Sequence, residues 1–200
     1  NGISKPGISF VDLLIGQFSI TFFDFNLMKI YLIRDRLGQK PLFYNLNSEK
    51  FSFSSNLKSL VNIVDDSSID YGSFSDYINY GVVPSPKTLF KNIYKLKPAE
   101  IVEIGFNKSF NLNKKSIYWE IENYLDNNTF IPEKFDNLFH NAVDLRRESD
   151  VEIAALLSGG IDSTSIVKAL SQNSSNVNTF SIGYEDSKYD ETKWFEEVAN

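Results

Sequence analysis

Hydrophobic and polar positions alternate in short runs over the first third of the chain, a pattern typical of strands separated by turns. The run FSITFFD is predicted to pair with KIYLIRD around the Phe25–Lys29 connection, and PLFYNLNSEKFSFSS is predicted to form a second hairpin. Helices are predicted over Asn56–Ile63 and Tyr71–Tyr80, and AEIVEIGF is predicted to add one more strand. This part of the chain therefore has an α+β pattern.

The pattern changes after residue 132. EKFDNLFHNAVDLRRES carries its apolar residues at helical spacing, so it predicts an amphipathic helix. A strand (Val151–Leu157), a helix (about Asp162–Ser171), a strand (Asn178–Ile182) and a helix from Glu191 are predicted to follow. This alternation indicates an α/β fold with a parallel sheet. The predicted division is a first domain over 1–106, a connecting region over 107–132 and a second domain over 133–200.

Composition narrows the class of protein. The formal net charge is −6, which lowers the expectation of a nucleic-acid or anionic-membrane partner. The absence of cysteine removes disulfides, thiolate zinc ligands and thiol catalysis from these 200 residues, and it fits a reducing, cytoplasmic location. No apolar run approaches the roughly 20 residues that a membrane-spanning helix needs.

The stretch LLSGGIDSTSIV places two glycines between a predicted strand and a predicted helix. Glycines let a backbone approach a phosphate closely, and the first N–H groups of a helix attract anions. Asp162 would repel a phosphate alone, but it suits a site in which Mg²⁺ lies between carboxylate and phosphate oxygens. The alternative is a tight turn in which Asp162 and Ser163 only stabilise the helix start. The spacing excludes a Walker A loop.

SGGIDS resembles the signature of the ATP-pyrophosphatase family, whose members split ATP between its α- and β-phosphates. The resemblance implies that one group of residues binds pyrophosphate, with Asp162 holding its magnesium ion: Ser158, Gly159, Gly160, Asp162 and Ser163. It also implies that residues at two strand ends border the adenosine of ATP: Leu156, Ile182 and Gly183.

The first domain narrows the resemblance further. GQFSITFFD, LIRDRLGQKPLFY and FSSNLKSL resemble the end of a class II glutamine amidotransferase domain, an N-terminal-nucleophile sandwich. INYGVVPSPKTLFKNIYKLKPAEIVEI and SDVEIAALLSGGIDSTSIV resemble glutamine-hydrolysing asparagine synthetases, and the likeness runs in order from about Leu13 to Asn200.

The family implies glutamine, aspartate and ATP as substrates. A cysteine would release ammonia from glutamine, ATP would adenylylate aspartate, and ammonia would displace AMP. A homodimer is left open.

The chain also departs from the family. The nucleophilic cysteine is expected before Asn1 and further synthetase motifs after Asn200, so these residues are expected to be a fragment that is inactive alone, with no catalytic residue assigned. Asn56 stands where the family usually has Glu, and Ala99 where it prefers Gly. The rival interpretations are an amidotransferase acting on another carboxylate (a sugar acid, a peptide or a secondary metabolite) and a non-catalytic nucleotide-binding relative.

Three further polar groups have alternative readings. Arg34, Asp35, Arg36 and Lys40 could form an anion site, but ion pairs that stitch a hairpin end are favoured. Asp190 could cap the last helix with Glu191 in its first turn, or the two could border an active site, and both interpretations are kept. His140 lies on the predicted amphipathic helix, where a structural role is favoured because the chain has no second histidine to share a metal.

Overall fold

The computed structural model describes residues 8–125, 129–172, 176–186, 188 and 190–199. The chain divides into two compact units, Asn1–Asp126 and Asn127–Asn200. Strands dominate the first unit: β1 Ser19–Asp24, β2 Lys29–Arg34, β3 Phe43–Leu46, β4 Phe51–Ser54, β5 Tyr94–Lys95, β6 Glu100–Gly105 and β7 Asn111–Ile117. Its helices are α1 Leu57–Val61, α2 Tyr71–Tyr80 and two 3₁₀ turns, Ser9–Leu13 and Ile121–Tyr124.

Two antiparallel sheets organise the first unit. One has the order β1-β2-β6-β7 and the other has the order β4-β3-β5. Pairing of β1 with β2 and of β3 with β4 confirms both predicted hairpins. The predicted connecting region over 107–132 contains β7, which pairs with β6 along its length and so belongs to the first sheet.

The core explains why residues 30–33, IYLI, are continuously apolar. One face of β2 and β6 packs on the second sheet through a cluster of buried side chains: Ile30, Leu32, Leu42, Tyr44, Leu96, Val102 and Ile104. The opposite face buries Tyr31, Ile33 and Ile101 against Val11 of the first 3₁₀ turn. A strand that is buried on both faces does not alternate in polarity. The unit is thus mixed α and β with layered antiparallel sheets.

Arg34 and Asp35 are buried at the end of β2, with 5% and 1% of their surface exposed. The Asp35 carboxylate accepts backbone N–H bonds from Leu37, Gln39 and Lys40 at 3.2, 2.9 and 2.9 Å. The Arg34 guanidinium donates to the carbonyls of Lys40 (2.9 Å), Leu96 (2.5 Å) and Gly38. The interpretation of these residues as structural is therefore supported. The predicted ion pairs are wrong, because the Arg34 and Asp35 side chains bond the main chain instead.

Two departures from the family have local structural explanations. Asn56 is the N-cap of α1, and its Oδ1 accepts the N–H of Lys58 at 2.9 Å. Ala99 adopts a φ of +54°, in the left-handed region where glycine is favoured. A glycine at this position would adopt the same conformation without the steric cost of a Cβ.

The second unit alternates helix and strand, as predicted: α3 Pro132–Asp144, β8 Ala154–Leu156, α4 Ile161–Gln172, β9 Asn178–Phe180 and α5 Thr192–Ala199. β8 and β9 pair in parallel, which confirms the α/β pattern. Both strands are shorter than the predicted 151–157 and 178–182, because the ladder between them spans only three residue pairs. Over the described ranges, no helix is long and apolar enough to cross a membrane.

The Asp35 carboxylate gives a stability prediction. Asp35→Ala leaves three backbone N–H groups without their acceptor, so the free energy of unfolding should fall by about 3 kcal/mol. Asp24→Ala is the matched control, because Asp24 also accepts two backbone N–H bonds, but at an exposed turn. Its loss should stay below about 1 kcal/mol in urea denaturation. Equal losses would contradict a special role for the buried carboxylate.

Tyr118 gives a prediction about alkaline pH. Its hydroxyl donates to the Arg34 carbonyl at 3.0 Å, and burial raises the pKa of Tyr118 to about 12, from a usual value of 10.0. The unfolded chain loses this proton first, so the contribution to stability is complete below pH 10 and disappears as the pH rises towards 12. The free energy of unfolding of the wild type should fall more steeply across this window than that of Tyr118→Phe. Parallel pH profiles would contradict the prediction.

Candidate nucleotide-binding site

The Ser-Gly-Gly turn lies at the carboxyl end of a parallel strand. Leu156 ends β8, residues 158–160 form the turn, and α4 begins at Ile161. The N–H of Leu157 donates to the Phe180 carbonyl at 2.9 Å, and the Ser181 hydroxyl donates to the Leu157 carbonyl at 2.6 Å. These bonds hold the ends of β8 and β9 side by side, at the edge where parallel sheets bind ligands.

The two serine hydroxyls close the turn. Ser158 Oγ and Ser163 Oγ are 3.0 Å apart, and Ser163 Oγ also donates to the Gly160 carbonyl at 3.2 Å. The N–H of Ser158 donates to Ser163 Oγ at 3.3 Å, and the N–H of Gly160 donates to Ser158 Oγ at 3.4 Å. Both hydroxyls thus lie at the start of α4, where the first-turn N–H groups have no helical acceptor. The arrangement serves the turn itself and also presents donors to an anion.

Gly159 cannot be replaced without movement. Its φ is +80°, and a Cβ built on it would lie 2.6 Å from Trp194 Cβ and 2.7 Å from the backbone N of Phe195. The first half of α5 therefore lies directly against the turn. Gly160 differs, because the nearest atom to its Cβ position is Ser158 Oγ at 3.4 Å.

The Asp162 side chain is exposed in the first turn of α4. The structure records no hydrogen bond or ion pair between it and any other described residue, so the carboxylate is available to a cation. Within the described ranges, no three His, Cys, Asp or Glu residues are close enough to hold a metal ion. Mg²⁺ commonly takes one or two carboxylates and fills its shell with phosphate oxygens and water, so a single aspartate fits an ion that arrives with a nucleotide.

The predicted adenosine-side residues lie at the ends of the two strands. Leu156 pairs with Phe180 in the ladder and is 79% exposed, and Ile182, two residues beyond β9, is 70% exposed. Gly183 lies beside Thr192, whose Oγ1 is 3.1 Å from the position of a Cβ. All eight predicted site residues thus belong to one unit, where they lie at or just beyond the ends of β8 and β9, in the turn at 158–160 or in the first turn of α4. Their assignment to particular parts of a ligand stays a prediction.

The Asp190 side chain bonds the first residue of α5, which supports the capping role predicted for it. Glu191 precedes α5 instead of lying in its first turn, so that part of the interpretation is wrong. Asp190 Oδ1 accepts the N–H of Thr192 at 3.2 Å, the hydroxyl of Thr192 at 2.5 Å and the N–H of Tyr184 at 3.3 Å. The Thr192 hydroxyl contributes most to lowering the pKa of the Asp190 carboxyl. The bond to Tyr184 was missed from the sequence, because no local signal joins a cap to a segment six residues earlier.

His140 contacts Asp136 with an Nε2–Oδ1 distance of 3.5 Å, one helical turn away on α3. Its ring also lies edge-on to Phe139. These contacts agree with the structural role favoured from the sequence.

Family models match the chain in two consecutive segments. A glutamine amidotransferase domain model matches residues 2–119, which is more than half of the chain, and an asparagine synthase model matches residues 134–200. The two matches are in the order that the sequence motifs predict.

Proteins similar to this chain include two named as asparagine synthetases and one named as an amidase. A Methanocaldococcus jannaschii protein provisionally named asparagine synthetase 2 (glutamine-hydrolyzing) is 34% identical over 98% of this chain and 39% of its own length. Asparagine synthetase 1 (glutamine-hydrolyzing) of Bacillus subtilis is 30% identical over 93% of this chain and 29% of its own length. A Gibberella zeae protein named Amidase chry2 is 28% identical over 82% of this chain and 25% of its own length. The chain thus spans well under half the length of these relatives.

The two glycines give a matched prediction. Gly159→Ala adds a Cβ to a left-handed residue and forces it into the α5 backbone, so the free energy of unfolding should fall by about 3 kcal/mol. Gly160→Ala meets only the Ser158 hydroxyl and should cost less than about 1 kcal/mol. Urea denaturation of both variants makes the comparison. Equal tolerance would show that α5 does not restrict the turn.

Proposed function

This chain belongs to the glutamine-hydrolysing asparagine synthetase family, and we propose that it contributes to ATP-dependent formation of asparagine from aspartate with ammonia taken from glutamine. The observation that carries the proposal is the turn at residues 158–160, with its free Asp162 carboxylate, within the segment that the asparagine synthase model matches. The preceding amidotransferase match supplies the argument for glutamine as the ammonia donor.

The proposed ATP site uses the donors at the start of α4. The pyrophosphate part of ATP would accept bonds from the first-turn N–H groups and from the hydroxyls of Ser158 and Ser163, which now bond each other at 3.0 Å. The exposed side chains of Leu156 and Ile182 would pack against the adenosine.

Asp162 is the residue proposed to hold Mg²⁺ beside the pyrophosphate. The bound ion would neutralise charge that develops on the leaving pyrophosphate. The other groups position and orient: the Gly159 backbone admits the phosphates, and the serines fix their direction. This division explains why a carboxylate stands beside a turn proposed to bind phosphates, which the carboxylate alone would repel.

The proposed chemistry has two steps. An oxygen of the aspartate β-carboxylate attacks the α-phosphorus of ATP and pyrophosphate leaves, giving a mixed acyl–phosphate anhydride. Ammonia then attacks the acyl carbon, AMP leaves with the anhydride oxygen, and a proton is lost to give the amide. Ammonia release is proposed to need a cysteine, and these 200 residues contain none. We therefore propose that this segment alone does not make asparagine.

A second candidate is amidation of a different carboxylate. The relative named as an amidase indicates that similar chains carry names other than asparagine synthetase. Asn56, which stands where Glu is expected, gives this candidate little support, because its side chain caps α1. The acceptor is therefore best decided by experiment.

The test measures pyrophosphate release by the full-length protein with Mg²⁺-ATP, with and without aspartate, using glutamine or ammonium as nitrogen source. Aspartate-dependent release together with asparagine formation is the expected result. Asp162→Asn should lower that release at least a hundredfold, because the metal loses its carboxylate. Asp150→Asn makes the same charge change at an exposed position before β8 and should leave the rate unchanged.

Three other outcomes are informative. Release that depends on another carboxylate, but not on aspartate, would move the proposal to the second candidate. Normal turnover by Asp162→Asn would refute its role with the metal. Activity with ammonium but not with glutamine would support the proposed ATP-dependent step and refute the use of glutamine.

A further inference from the structure

Asp190 lies where the segment after β9 meets the first turn of α5. One carboxylate oxygen, Oδ1, accepts bonds from both sides: the N–H of Tyr184 on one, and the N–H and hydroxyl of Thr192 on the other. Gly183 lies against the same group, since the position of a Cβ there is 3.7 Å from Asp190 Oδ1. The segment that carries Ile182 and Gly183 is thereby tied to α5.

The same helix also contacts the Ser-Gly-Gly turn. Trp194 and Phe195, in the first half of α5, leave no space for a Cβ on Gly159. The N–H groups of these two residues donate to the Glu191 carbonyl at 2.9 and 3.3 Å, so their backbone is fixed by the helix start that Asp190 caps. A shift of that start would move the backbone that bounds Gly159.

These two contacts connect the two sides of the candidate site. Asp190 joins the 182–184 segment to α5, and α5 in turn packs against Gly159. We propose that Asp190 is a positioning residue that sets the adenosine-side segment and the pyrophosphate turn relative to each other, so that one nucleotide fits both. The inference rests on the proposed ATP site and adds to it a residue that does not touch the ligand.

Position, rather than charge, distinguishes this role from that of a metal ligand. An asparagine at 190 keeps an Oδ1 that can accept the same three bonds, whereas alanine keeps none. A positioning residue should therefore be rescued by the amide. A metal ligand should not, because a neutral amide is a much weaker ligand for Mg²⁺.

Asp70 supplies a matched control. It caps α2 with the same kinds of bond, since one oxygen, Oδ2, accepts the N–H of Ser73 at 3.2 Å and its hydroxyl at 2.6 Å. Asp70 belongs to the first unit, and Asp190 to the second. Alanine at either position removes one helix cap, but only Asp190 also bonds a candidate nucleotide-site segment.

The experiment measures the KM for ATP, kcat, direct Mg²⁺-ATP binding by calorimetry and thermal stability in the full-length protein. Asp190→Ala should raise both the KM and the Kd for ATP by about tenfold. Asp190→Asn should stay within about twofold of the wild type. Asp70→Ala should lower the melting temperature comparably, while its KM for ATP stays unchanged.

Contrary results fall into separate classes. An unchanged KM and Kd in a folded Asp190→Ala protein would overturn the positioning role while leaving the ATP site intact. Equal losses in Asp190→Asn and Asp190→Ala, relieved by excess Mg²⁺, would assign Asp190 to the metal instead. Absence of Mg²⁺-ATP binding by the wild type would refute the proposed function itself, since binding requires neither aspartate nor glutamine.

A milder variant keeps the test usable if Asp190→Ala does not fold. Thr192→Val removes the hydroxyl that donates to Asp190 at 2.5 Å and leaves a side chain of similar shape. It should raise the KM for ATP several-fold, because the cap loses one of its three bonds. A wild-type KM in this variant would overturn the inference.

Discussion

The parallel pairing of two three-residue strands determines where the candidate site lies. Leu156 is opposite Phe180 in the ladder, so the Ser-Gly-Gly turn that follows β8 and the Ile182–Gly183 segment that follows β9 must leave the sheet at the same edge. Parallel strands present their carboxyl ends together, and the connecting helix begins there with free N–H groups. The position of the candidate site, its N–H donors and its exposed apolar strand ends all follow from this parallel pairing.

Close packing then restricts the turn. A left-handed glycine allows the chain to reverse after β8, and the backbone of α5 occupies the volume that a side chain would need. In the first unit, buried polar side chains restrict a turn. Arg34 and Asp35 bond main-chain donors and acceptors of the 35–40 turn, which would otherwise be buried without partners. A pair of buried charges can therefore be structural, while an exposed and unengaged one, Asp162, is the better candidate for chemistry.

Much of this arrangement could be predicted from the sequence, since its signals are local. Aromatic and β-branched runs broken by turn residues indicated both hairpins of the first unit, and α2 was predicted with the bounds that the structure has. The turn and its hydroxyls could be predicted because glycine, serine and aspartate at a strand–helix junction have direct backbone consequences. The ends of β8 and β9 could not, because strand length depends on the partner ladder rather than on apolar character alone.

Contacts between distant segments account for the remaining differences. The contact of α5 with Gly159 and the bond from Arg34 to the Leu96 carbonyl join residues far apart in the sequence. The bond from Tyr184 to Asp190 spans only six residues, but no short motif encodes it. Charged residues close in sequence, such as Arg34 and Asp35, suggested ion pairs, whereas burial made the backbone the better partner. These are tertiary effects that override the local pattern.

We propose that the turn after β8 receives the phosphates of ATP. A crystal structure of the full-length protein with Mg²⁺ and α,β-methylene-ATP, which resists cleavage between the α- and β-phosphorus atoms, tests it most directly. We expect the β- and γ-phosphates to lie at Ser158–Ser163, the metal to bind Asp162, and the adenosine to lie between Leu156 and Ile182. Nucleotide bound elsewhere, with the turn closed on itself by its own hydroxyls, would contradict it.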